Sequence, residues 1–330
     1  MDSLQQEYNI KRPSYESLRE ETLFIINRAL TNLDIKINKI EYRVKTFESF
    51  AEKVERKEIK SPFDEIKDLL GIRIVCLFLS DIPKIREIID TEFIILEEEN
   101  KIDGSSVESF GYMSHHFIVK LKDHYAGPRY DNVKGICFEI QVRTMAMDAW
   151  ANISHYLDYK SENDIPTDLK RDFYALSGLF YVADKHFEMF FRSRQENSDH
   201  ILEKFEQNLS HSKEELNIDS LKAYMKVRFP DRVHNKNSSN ISELVDQLYK
   251  SGYNFIDQIE EKISLGWEAF LQYEKDHPPG SEKTKDRRYQ DVGIVRILLN
   301  IVDENFGANS EYFDLYKDIY VEYRKLIKAS

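Results

Sequence analysis

The period of the hydrophobic pattern changes once along this chain, at Thr144, and that change limits the folds open to it. Before it, short β-branched apolar runs alternate with helical patterns; after it, no segment alternates convincingly and nearly all show a 3.6-residue period. Interleaved strands and helices build an α/β unit, whereas an unbroken helical tract builds a bundle. At 330 residues the chain also exceeds what one ordinary core organises. Two units are therefore predicted, residues 1–195 as an α/β (α+β) unit and residues 196–330 as an all-helical one, with the join in the polar tract between Arg192 and Asn208.

Within the first unit, Ser14 after Pro13 is expected to cap a helix over Tyr15–Asn32. From Asp34 to Lys45 the pattern shortens to alternation, a strand in which Arg43 and Lys45 share one face and Tyr42 and Val44 the other. Thr46 should cap a helix through Lys57 that brings Lys53 and Arg56 onto one side. A short helix over Asp64–Leu70 is expected to end at Gly71, followed by a buried central strand, GIRIVCLFL, over Gly71–Leu79. A helix over Asp81–Ile89 and strands over Glu92–Glu97, His115–Lys122 and Gly135–Arg143 complete a five-stranded pattern, with a polar loop over Glu98–Gly111. The second unit reads as helices near Leu216–Arg228, Ile241–Lys250, Ile256–Tyr273, Asp291–Asn300 and Tyr312–Lys328; Leu169–Asn208 reads as one long helix or two.

Charge and cysteine usage narrow the function classes. With 47 Lys and Arg against 59 acids, a net charge of −12 argues against a protein that coats nucleic acid through its overall field. No stretch approaches 18 apolar residues and the first residues have no leader pattern, so a soluble, cytoplasmic protein away from the membrane is expected. Cys76 and Cys137 both fall in apolar runs and read as buried thiols. Against the acidic background, Arg43, Lys45, Lys53, Arg56 and Lys57 stand out, either as a seat for a phosphate-rich small molecule or as a solvated helix face.

Alternation is sharpest in Ile136–Arg143. Ile136, Phe138, Ile140 and Val142 must face the core, which sets Glu139, Gln141 and Arg143 together on the other face. That face is either an exposed sheet surface or the floor of a polar site. The following helix pattern puts Ala146, Trp150, Ile153 and Leu157 on a buried stripe and Asp148, Asn152, His155 and Tyr159 on a polar one. Asp68 and Arg73 flank Gly71. A carboxylate at a strand end can hold Mg²⁺ beside a second one such as Glu139, and an arginine offers a plane for a base and a charge for phosphate; a surface ion pair is the plainer reading of Asp68 and Arg73.

Read in order, YRVKTFESFAEKVERK, KDLLGIRIVCLFLSD, GYMSHH and FEIQVRTMAMDAWANISHYLDYK resemble the synthetase domain of the RelA/SpoT family, most closely its stand-alone small alarmone synthetases, over roughly Ser14–Lys160. The resemblance implies a nucleotidyltransferase-like mixed five-stranded sheet with flanking helices. It also implies transfer of the β,γ-pyrophosphate of ATP to the 3′-hydroxyl of GTP or GDP, with Mg²⁺, making guanosine alarmones. On that pattern Arg43 and Arg73 would sandwich the adenine, and Lys45, Lys53 and Arg56 would hold the phosphates. Asp68 and Glu139 would bind Mg²⁺, with Glu139 helping to deprotonate the acceptor hydroxyl. Tyr112 would stack on the acceptor base, with His116, Gln141 and Asp148 also on the acceptor side.

Two departures stand out. Met113 follows the Gly111–Tyr112 pair where the family carries Arg, with Glu108, Ser109 and Phe110 before it; Ser154 replaces the glutamate before His155. The acceptor's phosphates should then be held less tightly. No His-Asp dipeptide occurs, so the family's hydrolase domain is expected to be absent. Two alternatives remain open at this point: pyrophosphorylation of the 3′-end of tRNA, and a catalytically silent nucleotide-binding module. The helical unit is assigned to regulation or to assembly of a homo-oligomer.

Overall fold

The computed structural model describes residues 2–31, 35–100, 114–157, 165–209, 213–280, 287–309 and 313–327. The chain divides into two compact units, Met1–Phe191 and Arg192–Ser330.

The first unit is built on a five-stranded mixed sheet in the order β1-β2-β5-β4-β3. Its strands are β1 (Ile37–Val44), β2 (Leu70–Cys76), β3 (Phe93–Asn100), β4 (His115–Leu121) and β5 (Phe138–Thr144). β2 and β5 run parallel, and the other neighbours are antiparallel. Helices α1 (Asp2–Thr31), α2 (Phe47–Arg56), α3 (Pro62–Glu65), α4 (Asp81–Glu92) and α5 (Met145–Tyr156) flank it, and α6 (Lys170–Asn208) follows. β5 shows why the alternation was so clear: Phe138, Ile140 and Val142 are fully buried in the core with Ile72, Ile74 and Phe117.

Several elements differ from the sequence expectation. α1 begins at Asp2 and runs through Pro13, so Ser14 lies inside it and caps nothing. Packing outweighs the lost hydrogen bond: Tyr8 and Tyr15 are both buried, and Tyr8 donates through its hydroxyl to the Lys45 carbonyl at 2.7 Å. The helix expected over Asp64–Leu70 is confined to α3. Ile66 and Leu69 are buried, and the Leu69 carbonyl accepts from the Lys45 N–H at 2.8 Å, extending the β1–β2 ladder ahead of Gly71. The central strand stops at Cys76, short of Leu79. Cys137 precedes β5 and is only partly buried, whereas Cys76 is buried as expected; both thiols are free. On α5 the apolar stripe fades, because Ile153 and Leu157 are exposed while Asp148 is buried.

The second unit is helical. α7 (Ile218–Arg228), α8 (Ser238–Lys250), α9 (Ile256–Asp276), α10 (Asp291–Val302) and α12 (Phe313–Ile327) fall near the predicted positions, while the five-residue α11 (Glu304–Ala308) was too short to show a period. Its core joins Leu221, Leu244, Ile263, Phe270, Leu298 and Phe306, all essentially inaccessible. Among the described residues no helix is long and apolar enough to cross a membrane.

Candidate active site

Register assembles a polar face on the sheet. Side chains paired across strands share a face, and two neighbouring rows cross the middle of this one. Gly71 pairs with Arg43 on one side and Glu139 on the other; Arg73 pairs with Glu41 and Gln141, and Gln141 in turn with His116. A cavity of about 540 Å³ opens over these rows, lined by Arg43, Asp68, Gly71, Arg73, Glu139 and Gln141 among others. Gly71 supplies the floor with space, since a Cβ there would meet no other described residue within 4 Å, its chain neighbours aside.

Asp68 sits where the chain enters β2, opposite Lys45 at the end of β1. Lys45 Nζ donates to Asp68 Oδ2 at 2.7 Å, and Lys53 Nζ from α2 donates to Oδ1 at 2.8 Å. Thr46 makes this possible by capping α2 immediately after Lys45, its side chain accepting from the Ser49 N–H. Burial pushes the Asp68 carboxyl up, but hydrogen bonds and charge from Lys45 and Lys53 outweigh it and hold the group below its ordinary value. Lys45 itself, 7% exposed, is lowered by burial and by Lys53 and Arg43, with Asp68 opposing. Arg56 ends α2, exposed and outside the cavity lining, and Arg43 lies exposed at its rim.

Glu139 is held on both oxygens. His116 Nδ1 lies 2.8 Å from Oε1, and Gln141 Nε2 donates to Oε2 at 2.8 Å. His116 Nε2 meets the Ser114 hydroxyl. Burial raises the Glu139 carboxyl and the nearby Asp68 charge adds to that, yet the His116 contact and the Gln141 hydrogen bond prevail and keep it below the usual range. The influence of Asp68 on Glu139 means that the two acids share one electrostatic environment.

Asp148 meets Arg73 at one wall of the cavity. It is 3% exposed and lies 3.1 Å from Arg73 Nη1, 3.0 Å from Lys39 Nζ and 3.7 Å from Arg143 Nη1, while Asn152 donates to it at 3.1 Å. Arg73 Nη1 also reaches Glu41 at 3.2 Å. Arg143, 1% exposed, donates to Gln141 Oε1 at 2.8 Å; burial lowers its pKa to about 10, with the Arg73 charge acting the same way and Asp148 against. The sheet rows and α5 thus form one continuous polar network from His116 to Arg73. Lys39 and Glu41 were not singled out by sequence, although the alternation that gave Arg43 its face would have placed both on it. Tyr112 and Met113 lie outside the described residues.

The donor set suits a hard cation. Asp68 and Glu139 offer carboxylate oxygens that keep lone pairs beyond those engaged by their partners. Mg²⁺ takes few protein ligands and completes its shell with water and phosphate oxygens, so a pair of carboxylates meets its requirement.

A family profile described as the region found in RelA/SpoT proteins matches residues 42–164. GTP pyrophosphokinase YwaC of Bacillus subtilis is 32% identical over 172 residues, spanning 50% of this chain and 80% of that protein. GTP pyrophosphokinase YjbM of the same organism is 35% identical over 133 residues, spanning 39% and 59%. Among solved structures, small alarmone synthetase 1 from Bacillus subtilis superposes with a TM-score of 0.48 at 26% identity, over 59% of this chain and 100% of that one. The same synthetase bound to its product pppGpp gives 0.47 at 25%, over 59% and 100%. Because the chain covers four-fifths of YwaC at that identity, and the matched segment is the one that builds the cleft, this protein belongs to the RelA/SpoT family.

Proposed function

We propose that the chain is a Mg²⁺-dependent GTP pyrophosphokinase, a small alarmone synthetase that moves the β,γ-pyrophosphate of ATP onto the 3′-hydroxyl of GTP or GDP. The observation that carries this reading is the meeting, over one cavity, of a lysine-held carboxylate at Asp68, an arginine in a fixed pose at Arg73 and a second carboxylate at Glu139. Phosphoryl chemistry asks a protein mainly for positioning and for neutralisation of charge on phosphate oxygens.

The residues divide that work. Glu41, Asp148 and Asn152 hold the Arg73 guanidinium at one wall, where with Arg43 it can take the faces of adenine. Lys45 and Lys53 present two ammonium groups for the phosphates, and Arg56 extends that charge along α2. Asp68 and Glu139 would hold Mg²⁺, which when bound supplies neutralising charge to the phosphates. Glu139, kept ionised by His116 and Gln141, accepts the hydrogen bond of the acceptor hydroxyl. It takes that proton as the new O–P bond forms at the β-phosphorus and the bond to the bridging oxygen breaks, releasing AMP. His116, Gln141 and Tyr112 are assigned to the acceptor side.

ATP and guanine nucleotides as partners suit a cytoplasmic enzyme. Every residue assigned to the cleft precedes Arg192, so residues 192–330 are free to serve regulation or assembly. The test is product analysis with labelled ATP and GTP or GDP as sole acceptor. AMP with a 3′-pyrophosphorylated guanine nucleotide is expected; ADP as the only product would overturn the reading.

A further inference from the structure

Arg73 is gripped at one corner. Its side-chain hydrogen bonds among the described residues, to Glu41 at 3.2 Å, Asp148 at 3.1 Å and Asn152 at 3.4 Å, all go through Nη1, while its Nε is buried without a partner. A guanidinium held by a single nitrogen keeps its plane only if the groups that hold it are themselves fixed.

Lys39 fixes them. Its Nζ lies 2.8 Å from Glu41 Oε1 and 3.0 Å from Asp148 Oδ2, whereas Arg73 Nη1 meets Glu41 Oε2 and Asp148 Oδ1. Each carboxylate gives one oxygen to each cation, so the four groups close a ring of alternating charge. The strand period places Lys39 for this: Lys39, Glu41 and Arg43 share one face of β1, and the register sets Glu41 opposite Arg73. Asp148 comes from the first turn of α5 and is 3% exposed, a depth at which a carboxylate needs both oxygens engaged. Lys39 and Asn152 together satisfy its Oδ2.

Charge gives the ring a direction. Three cations, Lys39, Arg73 and Arg143, surround the two carboxylates, which leaves one net positive charge beside the cavity; without Lys39 there would be none. Hydrogen bonds to Glu41 and then Asp148 raise the Lys39 pKa, outweighing burial, so the ammonium stays charged. Lys39 is not in the cavity lining, which includes Glu41 and Arg73. Whatever it does to an occupant passes through them. Stability offers no rival role, since an ion pair with one partner 37% and the other 45% exposed contributes little to folding.

We propose that Lys39 is a positioning residue for the nucleotide donor: it holds Glu41 and Asp148 against Nη1 of Arg73 and keeps that wall of the cleft positively charged, so that the guanidinium meets ATP in one pose. The inference rests on the reading of the cleft as an ATP site.

Calorimetric titration of the full chain with Mg²⁺ and AMPCPP, an ATP analogue whose α,β bridge resists cleavage, tests it, with steady-state kinetics alongside. Lys39→Met should raise the Kd for AMPCPP about tenfold, the size of one charge-assisted hydrogen bond, and the KM for ATP with it. The KM for GTP and the melting temperature should stay close to wild type. Lys39→Arg, which keeps the charge and can reach both acids, should recover most of the affinity. Combined with Asp148→Asn, Lys39→Met should cost less than the sum of the two single changes, because both act through one contact. An unchanged Kd in Lys39→Met overturns the proposal. So does a loss shared equally by ATP and GTP, one that tracks a fallen melting temperature, or strict additivity with Asp148→Asn. Failure of the wild type to bind AMPCPP is a separate result: it removes the ATP reading of the cleft first, and this inference with it.

Discussion

In the helical unit Glu274 accepts one N–H from each Nη of Arg232, at 2.7 and 2.8 Å, and the Tyr289 N–H at 2.8 Å. Glu260 there takes the Tyr224 hydroxyl at 2.6 Å and Arg228 at 3.2 Å. In the cleft Asp148 is buried and paired to a similar degree, while Asp68 and Glu139 are as fully paired but only partly buried, their side chains 23% and 18% exposed. Saturation with partners therefore does not separate the two regions. What differs is the setting: Glu274 and Arg232, each 10% exposed, tie α9 to the segment after α7, whereas Asp68, Glu139 and Arg73 line a cavity on a sheet face that the core does not use. A buried ion pair in one unit is a fastening; in the other its members stay available to something that enters.

That contrast can be broken most sharply at Glu139. Glu139→Gln keeps the size of the side chain while removing its charge and turning one acceptor oxygen into a donor, and should lower pyrophosphate transfer by on the order of 10²–10⁴-fold, with the melting temperature nearly unchanged; equal activity in steady-state assays would refute the base assignment. The reverse result is expected from Glu274→Ala. It strands Arg232 and should cost about 3–5 kcal/mol in denaturant unfolding, while the KM for ATP stays as in the wild type at temperatures where the variant is folded.

Asp148 tests the middle of the comparison, being deeply buried and also in contact with Arg73. Asp148→Asn should raise the KM for ATP about tenfold, the size of one lost charge-assisted hydrogen bond, without a matching change in the KM for the acceptor. A parallel rise in both would return Asp148 to the acceptor side. The smallest effect concerns Asp184, whose pKa burial raises to about 6 against the Thr144 hydrogen bond. Above pH 6 the ionised group costs the folded state stability; as pH falls through 6 towards 4 the folded chain takes up its proton first, and that cost disappears. Asp184→Asn should therefore be more stable than wild type by about 1–2 kcal/mol at pH 7, with the difference shrinking to nothing near pH 4. Parallel unfolding curves across that range would disprove the assignment.

Sequence revealed those parts of the site that a single strand or helix can define. Alternation alone put Glu139, Gln141 and Arg143 on one face, and Thr46 announced the helix that carries Lys53. The Arg73–Asp148 contact was hidden because 75 residues separate the two and only the β2–β5 register brings them together. Local signals failed where distant packing overruled them, as at Pro13, where Tyr8 and Tyr15 hold the helix on both sides, and at Leu70, which joins the sheet because Leu69 extends the ladder. Tyr112, the proposed acceptor platform, lies outside the described residues. On α6 the pattern read as helix but left its rotation open, since an apolar stripe says nothing of which side faces the core until Asp184 and Glu188 find Thr144 and Ser80.

The floor at Gly71 has a further consequence. Its backbone conformation is one that any L-residue adopts, and a methyl group there would meet no atom of the described residues beyond its chain neighbours. Packing among the described residues leaves that space open on the floor of the cavity. Graded replacement by alanine, valine and leucine then acts as a feeler gauge: the size at which nucleotide is first refused measures the clearance between the sheet and its guest.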